Sequence, residues 1–408
     1  MNQIDKKYIG KFDKKLLKIS KKFLIIGPLS WDSNVKLEFF KNLSKNNLIL
    51  PEVTYPKISY NSQITELKNY LKEIRNEKHP ALIFLARTAQ SYLDGFQILE
   101  GVGTQNVNKF SRIIYGSPQD LIKGYQKTNL QVAKYFLKTA KRYENSIQSE
   151  NMIYSASDFA KKLRQEIKVV LPSNIIEIFT DRNITAKAAA GPNYVKINQN
   201  YRFSEADLRQ LLHHEIMTHT LTYINGRKQS TLKTLGYSAP RITATQEGLA
   251  IFSEYMNFAI ELTRLKRIAL RIIALDKAEQ GADFIELFKF FRKHGQNEEE
   301  SYGSASRILR GGTAKGGIYF YKDNVYLQGL FAVESFLKES LHSGLINDMY
   351  LLFSGKLTID DIKLFKPLSE EGYIDQPEFL PEWLKNTGEL ATHLTINDLT
   401  ERFKPKIF

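Results

Sequence analysis

The hydrophobic and polar positions along the chain predict two regions of different character. Up to about residue 165, apolar residues recur at helical spacing, as in DKKLLKISKKF and, over about seven turns, in QDLIKGYQKTNLQVAKYFLKTAKRYE. This part is predicted to be helical, and none of it resembles a reactive site. After residue 170, NIIEIFTD and NYVKINQN are short and rich in β-branched and aromatic residues, which predicts strands separated by the small-residue segment AKAAAGP.

A long helix is predicted over SEADLRQLLHHEIMTHTLTYING. Ser204 fits its N-cap, Asp207 follows in the first turn, and Gly226 fits a C-cap. The strand NYVKIN precedes this helix and is interpreted as an edge strand that could pair with an extended substrate. Later helices are predicted over ATQEGLAIFSEYMNFAI, LKRIALRIIAL, FIELFKFFRKHG and KDNVYLQGLFAVESFLKESL, with a glycine-rich interruption at 311–317.

These patterns predict an α+β fold that is predominantly helical, with a small β-sheet before the histidine-bearing helix. At 408 residues the chain can form one elaborate domain or two. We divide it into a helical N-terminal region (1–165), a core (166–366) and a C-terminal extension that packs on the core (367–408).

The charge of the chain is unevenly distributed. Lys and Arg number 58 against 44 Asp and Glu, giving a net charge of +14. In residues 1–50, eleven lysines face four acidic residues, so half of that excess lies at the start of the chain. A lysine-rich start is typical of a solvated helix face, and a binding arm is the alternative. The overall charge readily accommodates an acidic partner.

The chain has no cysteine, so a metal ion would have to be held by His, Asp or Glu. The apolar run FLIIGPL near the start is too short and too interrupted for a signal-peptide core. No stretch approaches the ~20 apolar residues of a membrane span. We therefore expect a soluble, cytoplasmic protein.

Three of the seven histidines lie close together, around Glu215: His213, His214 and His219. In an HExxH zinc helix the two histidines are four residues apart and face one metal ion. His214 and His219 are five apart, which a regular helix would separate by about 140°. A local π-bulge would realign them, and such bulges are frequent at functional sites. The alternative is that the three histidines are ordinary helix residues.

A metallopeptidase also needs a third protein ligand, and QEGLA supplies Glu247, 28 residues after His219. His213 is six residues from His219 and on the opposite face, so we expect it to pack or to support a ligand. Glu254 follows Glu247 by seven residues on the same face. It either orients a ligand histidine or lies on the surface as an ordinary carboxylate.

HEIMTH, followed by TATQEGLA, RGG and YKDNVYLQG, resembles the bacterial QEGLA-motif proteins, which are similar to the microtubule-associated tyrosine carboxypeptidases of eukaryotes. The resemblance covers roughly residues 105–350, beginning with KFSRIIYGSP. It implies a zincin-like metallopeptidase core with one Zn²⁺ per chain. His214, His219 and Glu247 would bind the zinc, and Glu215 would be the general base. The eukaryotic relatives remove a C-terminal tyrosine from tubulin, a substrate that does not transfer to this chain.

The expected mechanism uses zinc to lower the pKa of its bound water, while Glu215 accepts a proton as the water attacks a peptide carbonyl. The oxyanion then needs a second donor. Tyr319, Tyr321 and Tyr326 are candidates, and motif position favours Tyr326. A core or surface role is the alternative for each tyrosine.

A carboxypeptidase further needs a cation for the terminal carboxylate of its substrate, ideally an arginine. Four basic residues lie around the glycine-rich stretch, against the single acid Asp323: Arg307, Arg310, Lys315 and Lys322. We expect Arg310 to bind the carboxylate, with Lys322 as second choice. A solvated basic loop is the alternative.

The leading hypothesis is therefore a zinc-dependent, carboxypeptidase-like metallopeptidase whose substrate is a peptide or protein, including one with an acidic C-terminal tail. The competing hypothesis is a protein that binds an acidic partner or nucleic acid and whose metal site is structural or vestigial. Nucleic acid is disfavoured because no RNA- or DNA-binding module is visible and the lysine-rich start lacks interleaved stacking aromatics. No membrane partner is expected.

Overall fold

The computed structural model describes residues 3–21, 23–146, 151–172, 175–182, 184, 187–191 and 193–402. Most of them are helical. The α-helices are α1 (Gln3–Ser20), α2 (Ile26–Leu29), α3 (Ser33–Leu43), α4 (Asn61–Ile74), α5 (Pro80–Glu100), α6 (Asn106–Tyr115), α7 (Asn129–Ala140), α8 (Ala156–Val170), α9 (Glu205–Gln210), α10 (Leu221–Lys228), α11 (Thr243–Met256), α12 (Leu262–Glu279), α13 (Phe284–Lys293), α14 (Glu298–Ile308), α15 (Val325–His342), α16 (Ile346–Leu351), α17 (Ile362–Glu370), α18 (Glu382–Lys385) and α19 (Thr387–Arg402).

A single small sheet accompanies these helices in the described part of the chain. Its strands are β1 (Glu177–Asp181), β2 (Ala188–Ala190) and β3 (Tyr194–Asn198), in the order β1-β3-β2. β1 runs parallel to β3, and β2 runs antiparallel to it. The protein is thus predominantly helical with one small sheet before the histidine-bearing helix, consistent with the predicted α+β class.

The chain divides into two compact units. The first comprises residues 1–145, 239–244 and 262–328. Its aromatic core includes Phe39, whose ring packs edge-on against Phe284 and Phe288 with centroids 5.2 Å away in both cases. Each fully buried side chain of this size contributes about 1.5–3 kcal/mol. The N-terminal helices are therefore held to the later helices of the same unit by apolar burial.

The second unit comprises residues 146–238, 245–261 and 329–408. Val195 and Ile197 of β3 are fully buried and point to the same face because side chains alternate along a strand. They belong to one hydrophobic cluster with Leu163 of α8 and with Ile216 and Met217 of the histidine-bearing helix. The core of this unit thus packs directly under the histidine cluster.

The histidine-bearing helix begins as predicted. Ser204 Oγ accepts a hydrogen bond from the Asp207 backbone N–H at 3.0 Å, and an Asp207 oxygen accepts one from the Ser204 N–H at 3.0 Å. This reciprocal capping box satisfies two backbone donors at the helix start. After α9 the helix widens into a π-helix over Leu211–Thr220 before continuing as α10. The expected π-bulge is confirmed, and it extends over ten residues.

Gly226 does not end this helix, so the predicted C-cap is wrong. α10 continues through it to Lys228. A Cβ at Gly226 would lie 2.1 Å from the carbonyl oxygen of Leu235. Glycine is present because another segment of backbone approaches the helix closely at this point.

Three further expectations from the sequence were wrong. The helix predicted from residue 119 begins only at Asn129, because Thr128 forms a capping box with Gln131. The segment AKAAAGP contains β2, whose alanines lack the branched side chains by which strands were recognised. As a result β3 is paired on both sides, so NYVKIN is the central strand and not an edge strand.

The division of the chain into 1–165, 166–366 and 367–408 stays a prediction, and residues 403–408 lie outside the described residues. None of the helices described here has the length and apolar character required to cross a membrane.

Two motif glycines touch inside the second unit. A Cβ built on Gly248 of α11 would lie 2.3 Å from backbone atoms of Gly329 in α15. Real Cβ atoms do not approach backbone this closely, so the helices would have to separate to admit a methyl group. The glycine of QEGLA and the glycine of YLQG therefore permit one close helix contact.

We predict that Gly248→Ala destabilises the protein by about 1–3 kcal/mol, because overpacking outweighs the better helix propensity of alanine. Gly388→Ala is the matched control, since a Cβ there meets no atom within 4 Å and the residue lies in a helix of the same unit. Urea unfolding followed by circular dichroism measures both. Equal midpoints for Gly248→Ala and the wild-type protein would contradict the prediction.

Candidate metal centre

The π-helix brings His214 and His219 together. Its i to i+5 hydrogen-bond pattern aligns residues five apart, which a regular helix would separate. The two imidazole rings lie edge to face with centroids 5.0 Å apart. The spacing that departs from the HExxH pattern is thereby accommodated by the backbone.

Glu247, in the first half of α11, completes the group. Its Oε2 lies 3.5 Å from His214 Nε2 and 3.9 Å from His219 Nε2. One ligand atom from each of these residues lies within 4.8 Å of the others. Ligands bound to one zinc at about 2.0–2.2 Å are separated by about 3.4 Å in a tetrahedral site, so only small movements would close the group on an ion. Two imidazoles and a carboxylate are a donor set that fits zinc.

Glu254 orients His214 through Nδ1, the ring nitrogen farther from Glu247. Its side chain is fully buried, and its Oε1 lies 2.5 Å from His214 Nδ1. Because Nδ1 is engaged there, Nε2 is directed toward Glu247 and the centre of the group. The sequence allowed two roles for Glu254, orienting a ligand histidine or lying on the surface as an ordinary carboxylate, and the surface role is wrong.

The centre favours positive charge. Burial lowers the pKa of His214, but hydrogen bonds with Glu247 and Glu254 and the charge of Glu215 outweigh it and raise that pKa to about 10. The pKa of His219 is lowered to about 3, first by burial and then by His214 and Lys356. The His214 ring therefore carries a second proton, which the surrounding carboxylates stabilise. The same potential would stabilise a divalent cation.

Glu215 lies beside the group without belonging to it. Its Oε1 is 3.9 Å from His214 Nε2, and 34% of its side chain is exposed, against 15% for Glu247. A carboxylate that borders the centre and still reaches solvent can exchange protons with a molecule bound there. His213 is partly buried, and burial lowers its pKa to about 4. It is not one of the three grouped residues, as expected from its spacing.

His219 is surrounded by residues that the sequence did not indicate. The Gln246 side chain is close enough to the His219 ring to oppose the lowering of its pKa, and the His219 backbone carbonyl accepts a hydrogen bond from Lys356 Nζ at 2.8 Å. Lys356 is 6% exposed. Burial lowers its pKa to about 7, against the opposing charges of Glu215 and Glu247. Lys356 lies 137 residues after His219, and no motif or periodicity marked it.

The basic residues predicted to bind substrate lie in the first unit. Arg307 Nε donates to both carboxylate oxygens of Asp323 at 2.7 Å, and its Nη2 donates to the Tyr326 hydroxyl at 3.0 Å. Arg271 approaches the same carboxylate at 3.8 Å. Although burial raises it, the pKa of Asp323 falls to about 2 because Arg307 and Arg271 outweigh that effect.

Arg310 also belongs to this group. Burial, followed by the neighbouring charge of Arg307, lowers its pKa. Arg307 and Arg271 share the Asp323 carboxylate, and Arg310 is close enough for that charge to act on it. Arg271 was missed in the sequence because it lies in α12, far from the glycine-rich stretch.

The other predicted residues of this region have separate contacts. Lys322 Nζ lies 5.4 Å from the centre of the Tyr326 ring, and Lys315 is exposed. Tyr321 donates a hydrogen bond to Glu279 at 2.5 Å, and its ring contacts that of Tyr319. The roles assigned to these residues in binding or catalysis stay predictions.

A family model described as microtubule-associated tyrosine carboxypeptidase, MATCAP, matches residues 38–400. The chain belongs to the MATCAP family. The match extends at both ends beyond the stretch of roughly 105–350 recognised from motifs, and it includes most of both units.

A human protein named as a candidate tyrosine carboxypeptidase, MATCAP2, is 27% identical to this chain over 201 residues. The matched stretch covers 48% of this chain and 36% of the human protein, so the chain spans little more than a third of that relative's length.

For this MATCAP member we predict that Glu254→Gln weakens zinc binding by about 10–100-fold, because His214 loses the carboxylate that orients its ring. Competition with a chromogenic chelator measures the dissociation constant. Glu378→Gln is the control, since that exposed carboxylate pairs with Lys228 in the same unit. Unchanged zinc affinity in Glu254→Gln would show that the contact does not orient a ligand.

Proposed function

We propose that this protein is a zinc-dependent metallopeptidase of carboxypeptidase type. The observation that carries the proposal is the convergence of His214, His219 and Glu247 beside the partly exposed Glu215. These side chains would hold one Zn²⁺, although a site of two histidines and a glutamate also accepts other divalent ions. A bound metal would supply Lewis-acid activation of water and of the peptide carbonyl.

Glu215 is the proposed general base and later general acid. Its carboxylate takes a proton from the attacking water at one oxygen and returns it to the nitrogen of the departing amine. Glu254 keeps His214 oriented throughout, and because it is fully buried it does not compete for the substrate.

Tyr326 is the proposed donor to the oxyanion. Its hydroxyl oxygen accepts a hydrogen bond from Arg307 Nη2, which leaves the hydroxyl hydrogen to be donated elsewhere. The nearby guanidinium also favours a negative charge at the acceptor.

The terminal carboxylate of the substrate is assigned to the guanidinium group around Asp323. Arg307 is engaged by Asp323 through both carboxylate oxygens, so Arg310 is the better candidate, with Lys322 second. Burial and then the charge of Arg307 lower the pKa of Arg310, and a substrate carboxylate would offset the second of these effects. The net charge of +14 further favours substrates with an acidic C-terminal tail.

An extended substrate is proposed to lie along β2. This strand pairs with β3 on one side only and contacts the π-helix within the same unit. Its three alanines leave room for a neighbouring backbone, as strand addition at a sheet edge requires.

Replacing Glu215 by glutamine is expected to keep the zinc and lower kcat by at least ~10²-fold, because only the proton acceptor is lost. A library of peptides digested by zinc-loaded protein and analysed by mass spectrometry identifies a substrate for this measurement. Glu389→Gln, an exposed change in α19, is the control. Wild-type turnover in Glu215→Gln would refute the assigned mechanism. Zinc-loaded wild-type protein that cleaves no peptide would favour a binding function.

C-terminal amidation of a good substrate is expected to reduce kcat/KM by ~10²-fold, because the charge-assisted contact with Arg310 is lost. In Arg310→Ala the free and amidated peptides should be cleaved at similar low rates. Lys315→Ala, an exposed change in the same glycine-rich stretch, should keep the preference for the free peptide. Equal cleavage of both peptides by the wild-type protein would indicate an endopeptidase.

A further inference from the structure

Lys356 is a buried lysine in the second unit. Its side chain is 6% exposed, which is unusual for a residue that seldom leaves water without a partner. It follows the segment FSG and precedes α17, far in sequence from the metal centre. The metallopeptidase mechanism proposed above does not use it.

Two glycines allow Lys356 to reach its position. The Lys356 backbone N–H donates to the Leu235 carbonyl at 2.7 Å, the same oxygen that would lie 2.1 Å from a Cβ on Gly226. A Cβ on Gly355 would lie 2.7 Å from Leu235 Cβ and 3.2 Å from Gly226 Cα. The backbone at Gly226 of the histidine-bearing helix, at Leu235 and at Gly355 can therefore come together, because neither glycine has a side chain.

Lys356 Nζ donates two hydrogen bonds there. One goes to the His219 carbonyl and one to Gln246 Oε1, both at 2.8 Å. Thr222 Oγ1 lies 2.8 Å from the same amide oxygen, and its single hydroxyl hydrogen can be directed to that oxygen or to the carbonyls of Thr218 and His219. Both the charged and the neutral form of a lysine have at least two N–H donors, so this arrangement does not depend on the protonation state.

These contacts determine how Gln246 is oriented. Lys356 Nζ donates to one end of this amide, so that end is assigned as the oxygen, and the Thr222 hydroxyl beside it can donate to the same atom. Nε2 of His219 lies 3.9 Å from Glu247 Oε2, so Nδ1 is the ring nitrogen left for the Gln246 side chain, which raises the pKa of this ring. An acceptor oxygen at Nδ1 selects the tautomer whose Nε2 carries the lone pair.

We propose that Lys356 is a positioning residue for His219, which it holds through the His219 carbonyl and through the orientation of the Gln246 amide. The inference rests on the proposed metal site. His214 is oriented by a carboxylate, Glu254, whereas His219 is oriented by a neutral amide that Lys356 and Thr222 keep in place. The lysine acts through other residues and touches neither metal nor substrate.

The test is Lys356→Met, which keeps the apolar stem and removes both donors. We expect the dissociation constant for zinc, measured by chelator competition, to rise by about 10–100-fold. The visible absorption spectrum of the Co²⁺-loaded protein should also change, because one imidazole would no longer be held at a fixed angle. Thr222→Val removes only one donor to Gln246 and should give a smaller change in the same direction.

Gln229→Met is the matched control. Gln229 is 1% exposed in the same unit and donates to the Ser354 and Asp375 carbonyls, so the change removes a similar buried contact away from the centre. It should lower the thermal midpoint and leave zinc affinity and the Co²⁺ spectrum unchanged. Equal losses of zinc affinity in Lys356→Met and Gln229→Met would reduce Lys356 to a general stabilising role and overturn the inference.

The outcomes separate this inference from the proposed function. Wild-type protein that binds neither zinc nor Co²⁺ would defeat the metallopeptidase proposal itself. Wild-type protein that binds zinc, together with a Lys356→Met variant of equal affinity and identical Co²⁺ spectrum, would overturn the positioning role alone. If Lys356→Met does not fold, Thr222→Val decides, and an unchanged Co²⁺ spectrum in that variant would count against the inference.

Discussion

The candidate metal centre depends on the widened turn of the helix that carries His214 and His219. A π-helix is rare because its hydrogen bonds are less favourable than those of an α-helix, so the surroundings must stabilise it. Ile216 and Met217 bury one face of it in the core of the second unit. Threonine hydroxyls also lie within hydrogen-bonding distance of its carbonyls, as Thr218 Oγ1 does of the His213 carbonyl and Thr222 Oγ1 of the Thr218 carbonyl. Apolar burial and side-chain hydrogen bonds together fix the spacing.

One helix, α11, supplies nearly everything else the centre requires. Glu247 offers the third ligand atom, and Glu254, two turns later on the same face, orients His214. Gln246, the neighbour of Glu247, contacts His219. Ligand and orienting groups share one rigid helix, so a small rotation of α11 would disturb both histidines at once. The packing of α11 therefore controls the geometry of the candidate metal centre.

His214, His219 and Glu247 could be named from the sequence because the segments HEIMTH and QEGLA mark them and the resemblance to a known family implies that they bind one metal ion. The five-residue interval between His214 and His219 required a π-type turn, and a capping box marked the helix start at Ser204. Contacts made across long separations could not be predicted in this way. Nothing local distinguishes Lys356 from a surface lysine, because its burial depends on a backbone contact with Leu235. The alanines of β2 likewise carry no strand signal, since strand pairing alone defines them.

The contact between Gly248 and Gly329 gives the segments QEGLA and YLQG a structural role. Of the five letters in QEGLA, the glutamate offers a metal ligand, whereas the glycine only sets how near one helix axis can come to another. Gly329 of YLQG, in α15, is the residue that Gly248 contacts. The two segments therefore also set how closely α11 and α15 can approach each other, although they lie far apart in the chain. A related protein without the metal ligands would still need both glycines for these two helices to pack.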